Sequence, residues 1–180
     1  MTGKAQEDWL YNGLDKSQAK WNVLAQQVIV AQIDRTEGPD ATYSMDKWDG
    51  YVASRDRLMR FLEQRKPSNP VVLSGNVHNN WAINLKADFN NPLSATVGSE
   101  FVCTSISSGG NGSDTIPNYI SENPQVKFYN NRRGYVRCAV TPTTWKTDYL
   151  VMSEVETPFG TISKKASFVV TDGNPEIQPA

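Results

Sequence analysis

An amide and an imidazole stand two residues apart in VVLSGNVHNNWA, residues 71–82: Asn76 and His78. His78 is the only histidine of the chain. An amide oxygen and an imidazole nitrogen can both coordinate a divalent cation. The plainer account is a satisfied polar residue in a loop, the ordinary fate of a lone histidine. Position strengthens the ligand account. The run Val71 to Ser74 is apolar and β-branched, Gly75 lets the backbone turn, and the two donors follow. In open α/β sheets, ligands bind just beyond the carboxyl ends of parallel strands. A catalytic metal centre takes about three protein ligands, so this pair is part of a shell. Spacing supplies no third member, no pair of histidine ligands and no Ser-His-Asp set.

Three further groups could do chemistry. Asp49, in Trp48-Asp49-Gly50-Tyr51, precedes a helix, where a carboxylate complements the helix dipole. Its alternative role is at the rim of a substrate site. Arg133, in Arg132-Arg133-Gly134-Tyr135, could offer its planar fork to a phosphate. Surface charge or a structural ion pair is the competing account. Ser107-Ser108-Gly109-Gly110-Asn111 could present backbone N–H groups to phosphate oxygens. It lacks the Gly-Lys-Ser/Thr of a P-loop, and a flexible loop is the simpler expectation. Asn111-Gly112-Ser113 matches the glycosylation acceptor pattern, which is common by chance.

The elements that must position these groups are read from periodicity. Residues 4–14 predict a helix, with Gln6, Trp9, Leu10 and Leu14 at helical spacings. Residues 21–25 and 28–31 read as extended and buried. Residues 34–49 read as a polar loop. A helix is expected from 51 to 65, with Tyr51, Leu58, Met59 and Leu62 inward and Arg55, Arg57 and Arg60 mostly outward. Pro67 and Pro70 stop it, and the strand 71–74 follows. Strand, helix, strand favours a parallel crossover. Beyond Trp81 come a strand over 98–107, a hairpin about Pro142-Thr143-Thr144, and a last strand over 165–170 closed by Asp172-Gly173-Asn174-Pro175. The chain passes from an α/β half to a β-rich half, and residues 1–180 are expected to form one domain.

Composition narrows the function. A chain of 180 residues with a net charge of −1 has no basic stripe, so no nucleic-acid binding is indicated. No apolar run approaches the ~20 residues that span a bilayer. The N-terminus shows no basic segment followed by an apolar one, so no signal peptide is expected in this chain. Cys103 and Cys138 lie in apolar runs and read as small hydrophobes, with a disulfide left open.

The stretches TGKAQEDWL, WNVLAQQVIVAQID, WDGYVASRDRLMRFL, NPVVLSGNVHNNWA, GSEFVCTSISSGG, NPQVKFYNNRRGYVRCAVTP and ASFVVTDGNPEIQPA occur in this order. Together they resemble the C-terminal portion of the PhoD-like alkaline phosphatase and phosphodiesterase family, metallophosphoesterases of the calcineurin-like superfamily. The resemblance implies an α/β (α+β) fold: the C-terminal half of a β-sandwich flanked by helices, with a β-rich end. It implies hydrolysis of small-molecule phosphate mono- or diesters by a metal-activated hydroxide, with Ca and Fe, or Mn, as cofactors. An extracellular, periplasmic or cell-surface location is implied as well.

The same resemblance implies that His78 and Asn76 are metal ligands. The family motif at this point is Gly-Asp-X-His, and here it is Gly75-Asn76-Val77-His78. A neutral oxygen in place of a carboxylate should weaken the site or change its metal preference. Most of the family's ligands belong to an N-terminal half that does not precede Met1, so the chain is expected to be the second half of an enzyme, inactive alone. Self-association through surface that this half would cover is a further expectation. The competing account is a noncatalytic remnant or interaction domain.

Overall fold

Two apolar stripes decide how the helices sit. In α1, Lys4–Lys16, Leu10, Tyr11 and Leu14 share one face, and Tyr11 stacks on Phe61 of α2 at 4.6 Å. At about 100° per residue, Trp9 falls on the opposite side. It is 71% exposed, not part of the inner face expected for it. In α2, Val52–Arg65, the stripe is Leu58, Met59 and Leu62. Arg55 precedes Leu58 by three residues and Leu62 by seven, so it lies inside this stripe. It is 2% exposed, against the outward position expected, whereas Arg57 and Arg60 do face out. Tyr51 closes a short 3-10 turn, Trp48–Tyr51, with φ −130°. It therefore drops out of the helical register and is 47% exposed. Ion pairs Arg57–Glu7 and Arg65–Asp15 join the outer edges of the two helices.

The computed structural model describes residues 2–106 and 108–180. Its strands are β1 Asn22–Ala25, β2 Pro70–Ser74, β3 Asn80–Lys86, β4 Thr96–Val102, β5 Val126–Asn130, β6 Gly134–Val140, β7 Thr144–Met152, β8 Ile162–Thr171 and β9 Asn174–Pro179. The first sheet has the order β1-β2-β4-β3-β5. β1 and β2 run parallel, as the crossover predicts, β4 lies parallel to β2, and β3 runs antiparallel to both β4 and β5. The second sheet is an antiparallel meander, β6-β7-β8-β9, which contains the expected hairpin. One core lies between the helices and the first sheet, around Leu58, Met59, Val72, Trp81 and Val102. The other joins the two sheets around Phe101, Trp145, Tyr149 and Phe168. The fold is mixed α/β, with two sheets and few helices.

Three strand expectations change. Residues 28–31 are buried but form no strand. Their backbone donors go to side chains: Val30 N and Ala31 N each donate to the Glu100 carboxylate at 2.9 Å. Ile33 N reaches Asp49 and Asp34 N reaches Asn123. This segment is a strap laid on the sheet. β4 ends at Val102, short of residue 107: Cys103 N still donates to Ser74 O, and Thr104 N then turns to the Asn80 side chain. The last expected strand is β8, longer than predicted, and the chain then doubles back as β9 instead of ending in a turn.

Candidate functional site

The strand register sets the site. Ala25 pairs with Leu73, Leu73 with Phe101, and Ser74 with Val102, so β1, β2 and β4 end on one edge of the sheet. β3 begins on that edge and β5 finishes there, since Trp81 pairs with Val102 and Asn80 with Asn130. Four connections therefore meet: the residues after Ala25, the turn 75–79, the loop after Val102 and the turn 131–133.

Asn76 and His78 occupy the 75–79 turn, and both are exposed. Both have left-handed backbone, with φ of 69° and 58°. The freedom expected of Gly75 is not what makes this turn. A Cβ at Gly75 would meet only Cys103 O at 3.5 Å, an ordinary contact. The strained conformation rests on the two donor residues themselves, as asparagine and histidine tolerate it better than most. The turn is held on each side. Gly75 N donates to Gln27 O, and Trp81 Nε1 donates to Asn79 Oδ1 at 2.6 Å. Ser108 Oγ lies 3.4 Å from His78 Nε2.

Arg133 reaches the same turn through its backbone. Its Nη1 donates to His78 O at 2.9 Å and to Asn131 O at 3.3 Å, and its Nη2 donates to Gly109 O at 3.1 Å. Asn80, fully buried, works beside it: Oδ1 accepts from Thr104 N, and Nδ2 donates to Arg132 O. Its only sequence signal is an asparagine at the polar start of an alternating strand.

Asp49 is not brought to this group. It is 6% exposed, ion-paired with Arg55, and its Oδ2 accepts from Ile33 N. Burial raises its pKa above the usual carboxylate value, with Arg55 opposing the shift. The glycine loop is also tied down, where a flexible segment was expected. Asn111 Nδ2 donates to Glu156 and its Oδ1 accepts from Val155 N. Both polar atoms of the acceptor-pattern asparagine are thus engaged. Gly112, at φ 69°, lies so close to Asn131 O that a Cβ would sit 1.8 Å from it. Asp114 binds Arg132, Lys165 and Asn130, and the Arg132 and Lys165 bonds hold its carboxyl well below the usual range. Ser107, named with this loop, lies outside the described residues. Cys103 and Cys138 are free thiols, and burial raises the pKa of both.

Among the described residues, no three His, Cys, Asp or Glu side chains gather where they could hold a metal ion. The donors present, one imidazole and one amide oxygen on an exposed turn, have the chemistry of part of a nitrogen and oxygen shell. A cavity of about 420 Å³ opens at the opposite edge of the sheet, lined by Leu62, Lys66, Asn69, Val97 and Pro175 among others. A smaller one of about 210 Å³ lies by Phe89, Pro92 and Lys127. Neither is lined by Asn76, His78, Arg133 or Asp49. No helix of the described residues is long and apolar enough to cross a membrane.

Comparison with known proteins places this architecture. The chain is 49% identical over 172 residues to alkaline phosphatase D of Bacillus subtilis (strain 168), covering 94% of this chain and 30% of that relative. A solved structure described as the structure of PhoD superposes with a TM-score of 0.93 at 47% identity, over 99% of this chain and 35% of that one. The chain thus spans about a third of the length of these relatives, and corresponds to a C-terminal portion of their fold. With the PhoD-like phosphatase family model matching residues 1–149 as well, the chain belongs to the PhoD-like phosphatase family.

Proposed function

We propose that this chain supplies one wall of a phosphoesterase active site, with Asn76 and His78 as donors to a divalent cation. The supporting observation is the pair itself: two exposed donors on one left-handed turn, at the edge where three parallel strands end. Such a cation, Ca²⁺, Mn²⁺ or an iron, would neutralise phosphate charge and activate the attacking oxygen. The chain's own residues orient the donors, through Arg133 on His78 O and Ser108 beside the ring. His78 presents its ring beside Ser108, and Asn76 offers a neutral oxygen. The substrate is a small phosphate mono- or diester, and the working location is outside the cytoplasm. Asp49 serves the site from below, by holding the strap through Ile33, and touches no substrate. Residues 1–180 act as one domain.

Since the donor set is partial, the isolated chain should hydrolyse chromogenic phosphate mono- and diesters far below the ~1 s⁻¹ of ordinary enzymes. Calorimetric titration with Ca²⁺ and Mn²⁺ tests the donors directly. Asn76→Asp should bind either cation more tightly, because a carboxylate replaces a neutral oxygen of the same size. His78→Ala should bind more weakly. Equal affinities in all three proteins would sink the assignment and leave the turn a structural feature.

A further inference from the structure

We propose that Arg133 is a positioning residue, whose guanidinium holds the Asn76–His78 turn in the conformation that presents its two donors. This rests on the reading of Asn76 and His78 as metal donors. The argument starts from backbone strain. Two successive non-glycine residues of alternate position, 76 and 78, take φ values of 69° and 58°. Such residues persist where their surroundings over-determine them. Both are exposed, so packing alone does not supply that constraint.

Arg133 does. Its fork spans carbonyls from three separate connections: His78 O from the β2–β3 turn, Gly109 O from the loop after β4, and Asn131 O from its own turn. A charged donor makes stronger hydrogen bonds than a neutral one, and a planar fork fixes direction as well as distance. The loop it captures at Gly109 carries Ser108, whose hydroxyl lies against His78 Nε2. One side chain thus orients the backbone under the imidazole and the hydroxyl beside it. Arg133 is itself placed by Gly134, whose Cβ-less backbone lies against Leu150 O where a Cβ would come within 2.0 Å. The neighbouring Arg132 is engaged differently, with Asp114 and Ser153 O, and serves as an internal control.

The single histidine makes the test direct, because its ring signals need no separation from others. Hydrogen exchange is measured in the wild type, Arg133→Ala, Arg133→Lys and Arg132→Ala. The proposal expects the hydrogen-bonded N–H groups at the two ends of the turn, Gly75 N and Trp81 Nε1, to exchange at least ~10-fold faster in Arg133→Ala, with α2 and β8 unchanged. Arg133→Lys, which keeps charge but loses the fork, should fall between, and Arg132→Ala should leave the turn as it was. If Arg133→Ala does not fold, Arg133→Lys decides on the same two N–H groups. In parallel, Mn²⁺ is titrated while the His78 ring signals are followed for paramagnetic broadening. Half-broadening should need several-fold more Mn²⁺ in Arg133→Ala than in the wild type. Unchanged exchange at Gly75 N and Trp81 Nε1 overturns the proposal, and so does faster exchange with an unchanged Mn²⁺ response. Absence of broadening in the wild type overturns the metal reading instead, and leaves the exchange measurement to decide the clamp.

Discussion

The strap at 28–34 and the turn at 75–79 are both irregular backbone at the same sheet, and both are held by side chains rather than by a ladder. They differ in where they lie and in what holds them. The strap is buried, and carboxylates and an amide take its N–H groups: Glu100, Asp49 and Asn123. The turn is exposed, and a cationic fork takes one of its carbonyls. The strap carries no left-handed residue, whereas the turn carries two. Burial demands that each donor be satisfied, so the strap is costly to disturb. The turn stores strain at the surface, where it is cheap to release, and it carries the two proposed donors.

The largest effect should come from the strap's ion pair. Arg55 and Asp49 are both buried, and Arg55 also donates to Gln32 Oε1 at 2.7 Å. Arg55→Ala leaves an uncompensated carboxylate beneath the strap. We expect a loss of about 3–5 kcal/mol in urea unfolding. A loss under about 1 kcal/mol would show that the strap is held by apolar packing alone.

Next is a pH dependence centred on Glu100. This carboxyl is fully buried, faces no cation, and accepts from Val30 N, Ala31 N and Ser74 Oγ. Burial pushes its pKa up from 4.5 to about 6, with the three hydrogen bonds opposing, and Asp49 adds to the rise. A carboxyl raised on folding binds more protons in the folded state between those two values. Its contribution to stability therefore falls as pH rises from about 4.5 to above 6, by roughly 2 kcal/mol. Carboxylates held low, such as Asp148 by Arg137 and Asp172 by Lys20, lose their contribution at more acid pH. Glu100→Gln isolates this contribution. The difference in unfolding free energy between wild type and Glu100→Gln should vary over pH 4.5–7, and a flat difference would contradict it.

The smallest effect belongs to the turn. His78→Gly removes a side chain from a left-handed position, where glycine pays no Cβ penalty. Stability should rise by less than about 1 kcal/mol in thermal unfolding. A loss of more than about 1 kcal/mol would mean that the His78 ring, through Ser108 or its packing, outweighs the strain.

How much of this could be read from residues alone follows the same division. Both helices, β1, β2 and the hairpin declare themselves by period and by breakers. Arg55 reads as outward because its charge masks its place in the stripe, although its spacing to Leu58 and Leu62 puts it inside. Residues 28–31 look like a strand because burial and extension show in composition, whereas the partners of their N–H groups do not. β3 alternates Trp81, Ile83 and Leu85 with Asn80, Ala82 and Asn84, a signal obscured because both faces are buried. β9 was hidden by Pro175 and Pro179, which an edge strand tolerates. In the site, Asn76 and His78 are legible as donor types. Arg133 is legible as a cation, but its work is not, since backbone carbonyls far along the chain have no sequence signature.

The two sheets also differ in when they can come into being. The meander pairs each strand with its chain neighbour, so β6 to β9 close through local connections, the longest being residues 153–161. The parallel sheet has no such route. β1 ends at residue 25 and waits for a partner that begins at residue 70, and β2 in turn waits for β4 at residue 96. Long closures of this kind are slow, because chain entropy is spent before contacts return it. During synthesis, the edge that carries Asn76 and His78 cannot exist until β4 has been made and has threaded in beside β2. By this topology the donor turn is expected to be among the later parts of the sheet to assemble, after the helix that precedes it.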